Sequence, residues 1–181
     1  MKKLSMLALA LLLSGTTVSA GFHREDDKLL SPVGIVKIPA TGKFFAGDHF
    51  TASSKTIKFA FSGNEFARFF LDKVEEPQGE VELRVSQLRK LSLDKSILDE
   101  LGNKAETTLA SVWELLKKQP KGEQGTLLTN GYVNIFYVRD SKGVLWAVSF
   151  DWVNRRWIVD TYSVEDLTGW GEGYLIFSRH R

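Results

Sequence analysis

The run Val144–Trp152 alternates in bulk and polarity, and this constrains the fold more than any other feature of the chain. Successive residues of a strand point to opposite faces of a sheet. One face therefore carries Trp146, Val148, Phe150 and Trp152, and the other Leu145, Ala147, Ser149 and Asp151. A face built from three large rings has to be covered, so this strand belongs to a sheet with a second layer packed on it. The aromatic density continues beyond it through Trp157, Tyr162, Trp170, Tyr174 and Phe177.

Neighbouring segments supply the rest of the sheet. Tyr132–Val138 precedes the alternating run across Asp140-Ser-Lys-Gly143, a loop with glycine where a positive φ is needed. A second turn over Val153–Arg156 leads into Trp157–Tyr162, and Tyr174–Ser178 follows as the fourth strand of an antiparallel meander. Upstream, Ile35–Ile38, Lys43–Phe50 and Thr56–Phe61 read as short strands, and Glu80–Leu91 alternates as a half-buried one.

Helical spacing occurs in three places. Phe66, Phe69, Phe70 and Val74 share a face after Ser62-Gly-Asn-Glu65, which has the form of a capping box. Residues 94–101 form a short helix stopped by Gly102. Leu109, Val112, Trp113 and Leu116 give an apolar stripe after a second capping box, Asn103-Lys-Ala-Glu106. Trp113 is the largest ring on that stripe, and its replacement by alanine is expected to be among the most damaging changes. The predicted class is α+β: an antiparallel sheet with a C-terminal meander, packed against two or three helices.

The first twenty residues, MKKLSMLALALLLSGTTVSA, have the three parts of a secretory signal peptide. Lys2 and Lys3 form the cationic start, Leu4–Leu13 the apolar stretch, and Val18 and Ala20 suit cleavage after Ala20. The apolar run of about 10 residues is too short for a membrane span, which takes roughly 20. The expected product is a secreted or periplasmic protein with no integral membrane segment. Residues 21–32 read as a mobile leader, and 33–181 as one α+β domain. The chain has no cysteine, so disulfides, thiolate metal sites and lipoprotein anchoring through cysteine are all excluded.

Charge and motifs exclude further classes. The formal charge of +2 is owed to Lys2 and Lys3, and without them the two signs balance. A neutral mature chain lacks the basic surplus of a nucleic-acid-binding protein. There is no Gly-x-Ser-x-Gly elbow, His-Glu-x-x-His, P-loop or EF-hand loop. His23 and His180 lie in terminal segments, which leaves His49 as the sole histidine inside the fold, too few for zinc, so neither metal nor cofactor is expected. Gly169-Trp-Gly-Glu-Gly173 reads as a turn folding over Trp170, and the adjacent acids Glu75 and Glu76 as a solvated face.

Two constellations remain. Asp151 and Asp160 flank the hairpin turn, and on neighbouring strands they share a face, as a carboxylate pair for glycan hydrolysis requires. Trp152 and Trp157 bracket the same turn with Arg155 between them. With Asp160 these residues are the expected ligand-binding patch, and both indoles are expected to be more exposed than Trp113 or Trp146. Exposed tryptophan beside arginine and aspartate suits a protein or glycan ligand.

Gly42–Phe50 with the Thr56–Glu76 run, and the tail from Tyr162-Ser-Val-Glu165 to Ile176-Phe-Ser-Arg179, resemble segments of uncharacterised secreted bacterial proteins. No activity attaches to that group, so the resemblance implies export and assigns no functional residue. The expected function is that of an exported binding module acting on a protein or glycan of the cell envelope. A glycan hydrolase using Asp151 and Asp160 is the alternative.

Overall fold

The structure is a computed structural model that describes residues 28–51 and 56–181. The expected signal peptide and the leader through residue 27 lie outside those residues. The strands are β1 (Leu30–Ile38), β2 (Phe44–Phe45), β3 (Phe59–Phe61), β4 (Val74–Glu75), β5 (Val81–Leu88), β6 (Glu106–Thr107), β7 (Asn134–Arg139), β8 (Leu145–Val153), β9 (Arg156–Ser163) and β10 (Leu175–Arg179). The helices are α1 (Ala46–His49), α2 (Glu65–Phe70), α3 (Asp94–Leu101) and α4 (Leu109–Lys118). The main sheet runs β1-β5-β10-β7-β8-β9-β3, with β6 also beside β7, while β2 and β4 pair separately. The class is α+β, as expected.

Both faces of the sheet are covered. Phe136, Phe150, Trp157 and Phe177 point towards α1, α2 and α4 in one apolar core. Ile135, Tyr137, Ala147 and Ile176 point the other way, into a smaller core closed by Ile97 of α3 and by Trp170. The alternation of β8 is what serves two cores from one strand. No helix of the described residues is long and apolar enough to cross a membrane.

The β7-β8-β9 meander forms as the sequence predicts. Val153 pairs with Arg156 across a two-residue turn in which Asn154 and Arg155 have φ of 52° and 60°. That is the left-handed pair a type I′ hairpin demands. In the preceding loop the Asp140 carboxylate accepts hydrogen bonds from Lys142 N, Val144 N and Trp146 Nε1. These bonds hold its pKa below the usual value although burial works upward.

The fourth strand departs from the expected meander. β10 does not follow β9. It lies between β5 and β7, antiparallel to the first and parallel to the second. The cause is the crossing segment 164–174, which is tied to Ser92 by two backbone hydrogen bonds through Trp170. That clamp carries the chain over the α3 face and sets it down beyond β7.

Several boundaries also move. Lys43–Phe50 holds only the two-residue strand β2 before turning into α1, and Thr56–Phe61 is a strand only over β3. Residues 30–32, expected in the leader, belong to β1, and Glu100 of α3 accepts from the backbone N–H of Leu29 and Leu30. Neither expected capping box forms. No side-chain bond caps α2, and the Glu65 carboxylate accepts from Asn64 N instead. α4 starts at Leu109, where Thr108 Oγ1 accepts from Ser111 N.

The carboxylate at the start of α4 comes from elsewhere in the chain. Both oxygens of Glu75 accept hydrogen bonds, from Leu109 N at 3.0 Å and Ala110 N at 2.8 Å. Among the described residues its one ionic neighbour is Lys73, at 3.6 Å. A negative charge is favoured at a helix N-terminus, where free amides converge. Glu75 is therefore a buried cap, which corrects the expectation of a solvated face for that residue, while Glu76 is exposed as expected. Trp113 is half-buried, with Leu109, Val112, Leu115 and Leu116 forming the deep face of α4.

Candidate functional site

The expected patch divides between the two faces of the sheet. Trp152 pairs directly with Trp157 and shares its face, while Asp151 and Asp160 point to the other. One strand cannot deliver neighbouring residues to a single surface, so Asp160 is separated from Trp152, Arg155 and Trp157. Trp157 corrects a second expectation. It is 0% exposed, and its Nε1 donates to Gln119 O at 3.0 Å. It supports the surface from beneath and cannot meet a ligand. Trp152 is half-buried and does reach a cleft, together with Arg155.

The larger opening is on the α3 side, a cleft of about 530 Å³ between β8, β9 and the crossing segment. Asp151 and Asp160 both line it, as the sequence predicts for residues sharing a face. Asp160 is diagonal to Asp151 in the ladder, opposite Ser149. Its Oδ2 accepts from Tyr162 Oη at 2.7 Å and its Oδ1 from Thr161 N at 2.8 Å. Both oxygens are thus oriented. Burial raises the Asp151 pKa, and the nearby charge of Asp160 raises it further.

Sequence reading missed the rest of this wall. Asp94, at the start of α3, is buried, and its Oδ1 accepts from both Tyr137 Oη and Trp170 Nε1 at 2.7 Å. Burial lifts its pKa, the two hydrogen bonds oppose that, and the charge of Asp166 adds to it. Asp166 lies on the rim with its pKa lowered, chiefly by hydrogen bonds from Thr168. Trp170 stands edge-on to Tyr162 at 5.1 Å and tilted to Tyr174 at 6.5 Å. Asp94 carried no signal beyond its place at a helix start, and Trp170 reaches the cleft only through the Ser92 clamp.

Four aspartates and three aromatic rings line this cleft, and among the described residues no lysine, arginine or histidine does. Such a lining attracts positive charge, because carboxylates and the faces of aromatic rings both favour cations. Leu91, in the lining, and Leu167, between the lining residues Asp166 and Thr168, stand at 72% and 84% exposure. Among the described residues no three acids or histidines approach closely enough to hold a metal ion.

The raised pKa of Asp151 has a consequence for stability. Its charge opposes folding, so the penalty is absent below the unfolded-state pKa of about 3.9 and grows as pH rises through the higher folded value. Asp151→Asn should therefore raise the melting temperature at pH 7 and leave it unchanged at pH 3. Thermal melts at the two pH values check this, and equal shifts at both would contradict the assignment.

His49 does not join either opening. Its ring stacks on Phe44 at 4.4 Å and lies 4.8 Å from Trp113. Burial holds its pKa low against the pull of Asp48. The place is structural. Gly169 and Gly171 flank Trp170 in a turn bridged to Ser92, in keeping with the sequence reading. Compared with family models, curated proteins and solved structures, the chain has no match, so the clefts are read from their geometry.

Proposed function

We propose that this is an exported binding protein of the cell envelope that takes a cationic group of a protein ligand into the cleft between β8, β9 and Trp170. The observation that carries the reading is a lining of four aspartates and three aromatic rings with no basic side chain among the described residues. A lysine or arginine side chain satisfies both parts, with its charge on the carboxylates and its stem or guanidinium plane against the rings. The exposed Leu91 and Leu167 suit contact with a protein surface around the inserted side chain. The apolar stretch and small residues ahead of Gly21 support the assignment to the envelope.

N-acetyl-arginine amide and its neutral counterpart N-acetyl-citrulline amide separate charge from shape. Titration followed by the fluorescence of Trp170, with the other tryptophans replaced by phenylalanine where the variant folds, should show saturable binding of the first alone. Asp160→Asn should weaken it. Equal binding of the two compounds, or none of the first at tens of millimolar, would remove the proposal.

A second reading, hydrolysis of an envelope glycan, draws on one observation. Asp151 has a raised pKa beside Asp160, whose oxygens are held by Tyr162 and Thr161. Two carboxyl groups with such different surroundings suit acid and base roles. Release of soluble sugar from labelled peptidoglycan that disappears in Asp151→Asn would favour this reading over pure binding.

A further inference from the structure

The opposite face of the same hairpin has the reverse polarity. A cleft of about 360 Å³ there is lined by Thr56, Lys58, Pro120, Lys121, Trp152 and Arg155. We infer that this cleft is a second ligand site, specific for a small organic anion with a flat body, and that it works independently of the acidic cleft.

Each lining group that can pair strongly is a donor. Lys58, Lys121 and Arg155 contribute positive charge and enter no ion pair among the described residues. The acid closest in sequence is Glu123, whose Oε2 is turned back to accept from Lys121 N at 2.8 Å. The indole of Trp152 adds a fourth donor. Trp146, Trp157 and Trp170 each spend their Nε1–H on an acceptor, whereas Trp152 has none among the described residues. An uncompensated set of three cations and one indole N–H selects a carboxylate or phosphate.

The geometry around Trp152 is fixed rather than incidental. Trp152 packs edge-on against the buried ring of Trp157 at 5.4 Å. On another side Gly122 lies so close that a Cβ there would fall 2.1 Å from an indole carbon, and its φ of +73° also disfavours a side chain. Arg155 occupies a left-handed conformation that non-glycine residues adopt at a cost. That conformation sets Arg155 at the tip of the hairpin beside Trp152, so a flat ligand body can lie against the part of the indole that Gly122 and Trp157 leave open to the cleft, with its anion towards the guanidinium.

Phenyl phosphate is a suitable probe, with phenol and inorganic phosphate as controls for its two halves. In 1H–15N spectra of the whole protein it should shift the Trp152 indole resonance and leave that of Trp170 in place. Arg155→Gln and Lys121→Gln should each weaken binding about tenfold, the worth of one lost charge-assisted hydrogen bond. Asp160→Asn should leave it unchanged, which separates failure here from failure of the acidic-cleft reading. Both basic residues are on the surface, and an unchanged far-UV spectrum confirms that the variants fold. The inference is overturned if phenyl phosphate leaves the Trp152 resonance in place at tens of millimolar, or if it binds both glutamine variants as tightly as the parent.

Discussion

Glu75→Ala should lower the free energy of unfolding by about 3–5 kcal/mol, the cost of removing one member of a buried charged pair. The change leaves Leu109 N and Ala110 N without their carboxylate and strands Lys73 in a largely buried position. It also cuts the tie between β4 and α4, two elements far apart in sequence. Glu75→Gln keeps one good acceptor and should lose less. Urea melts of the two variants check the order, and a loss under about 1 kcal/mol for the alanine variant would mean that the cap is not needed.

Trp157→Ala should be of similar severity. Truncating a large buried aromatic side chain costs about 3–5 kcal/mol, and here the ring is fully shielded between α4 and the hairpin. Its Nε1 also ends α4 by donating to Gln119 O. Gln119 in turn holds the following loop, donating to Glu123 O and Leu127 O and accepting from Leu127 N. Loss of Trp157 should therefore loosen residues 120–127 and the cleft beneath Trp152. Hydrogen exchange on the Leu127 amide reports the loop, and denaturant melts report the core. Trp157→Phe keeps most of the bulk and should fall between. An unchanged melt in the alanine variant would show that the ring is dispensable.

Local patterns in the sequence are enough to find the β7-β8-β9 meander and α3. Each depends on neighbours in the chain: alternation, a two-residue turn, a glycine after the last helical residue. Alternation also places Asp151 and Asp160 on one face, which is the part of the acidic cleft legible in the sequence alone. The same rule sends Trp152 to the other face, and the proximity of Trp152 to Asp160 in sequence concealed that separation. Trp157 looked exposed because it borders a turn. Cover for it arrives from α4, more than thirty positions earlier, and no local pattern reports such a partner. The capping carboxylate of α4 was obscured for the same reason, being supplied by Glu75 when Glu106 had the right spacing.

The position of β10 bears on how the chain reaches this fold. In the main sheet β1 and β5 form one block and β7, β8 and β9 another, and only β10 joins them. A chain that emerges N-terminus first must hold both blocks apart until residues 175–179 arrive. Until then β5 keeps an open edge, and β7 is paired on that side by the short β6 alone. Open edges of this kind invite pairing with other chains, and closing them through distant contacts is slow. The last strand of the sheet to appear is thus its keystone, and the interval before it docks is when this protein most needs protection from its own kind.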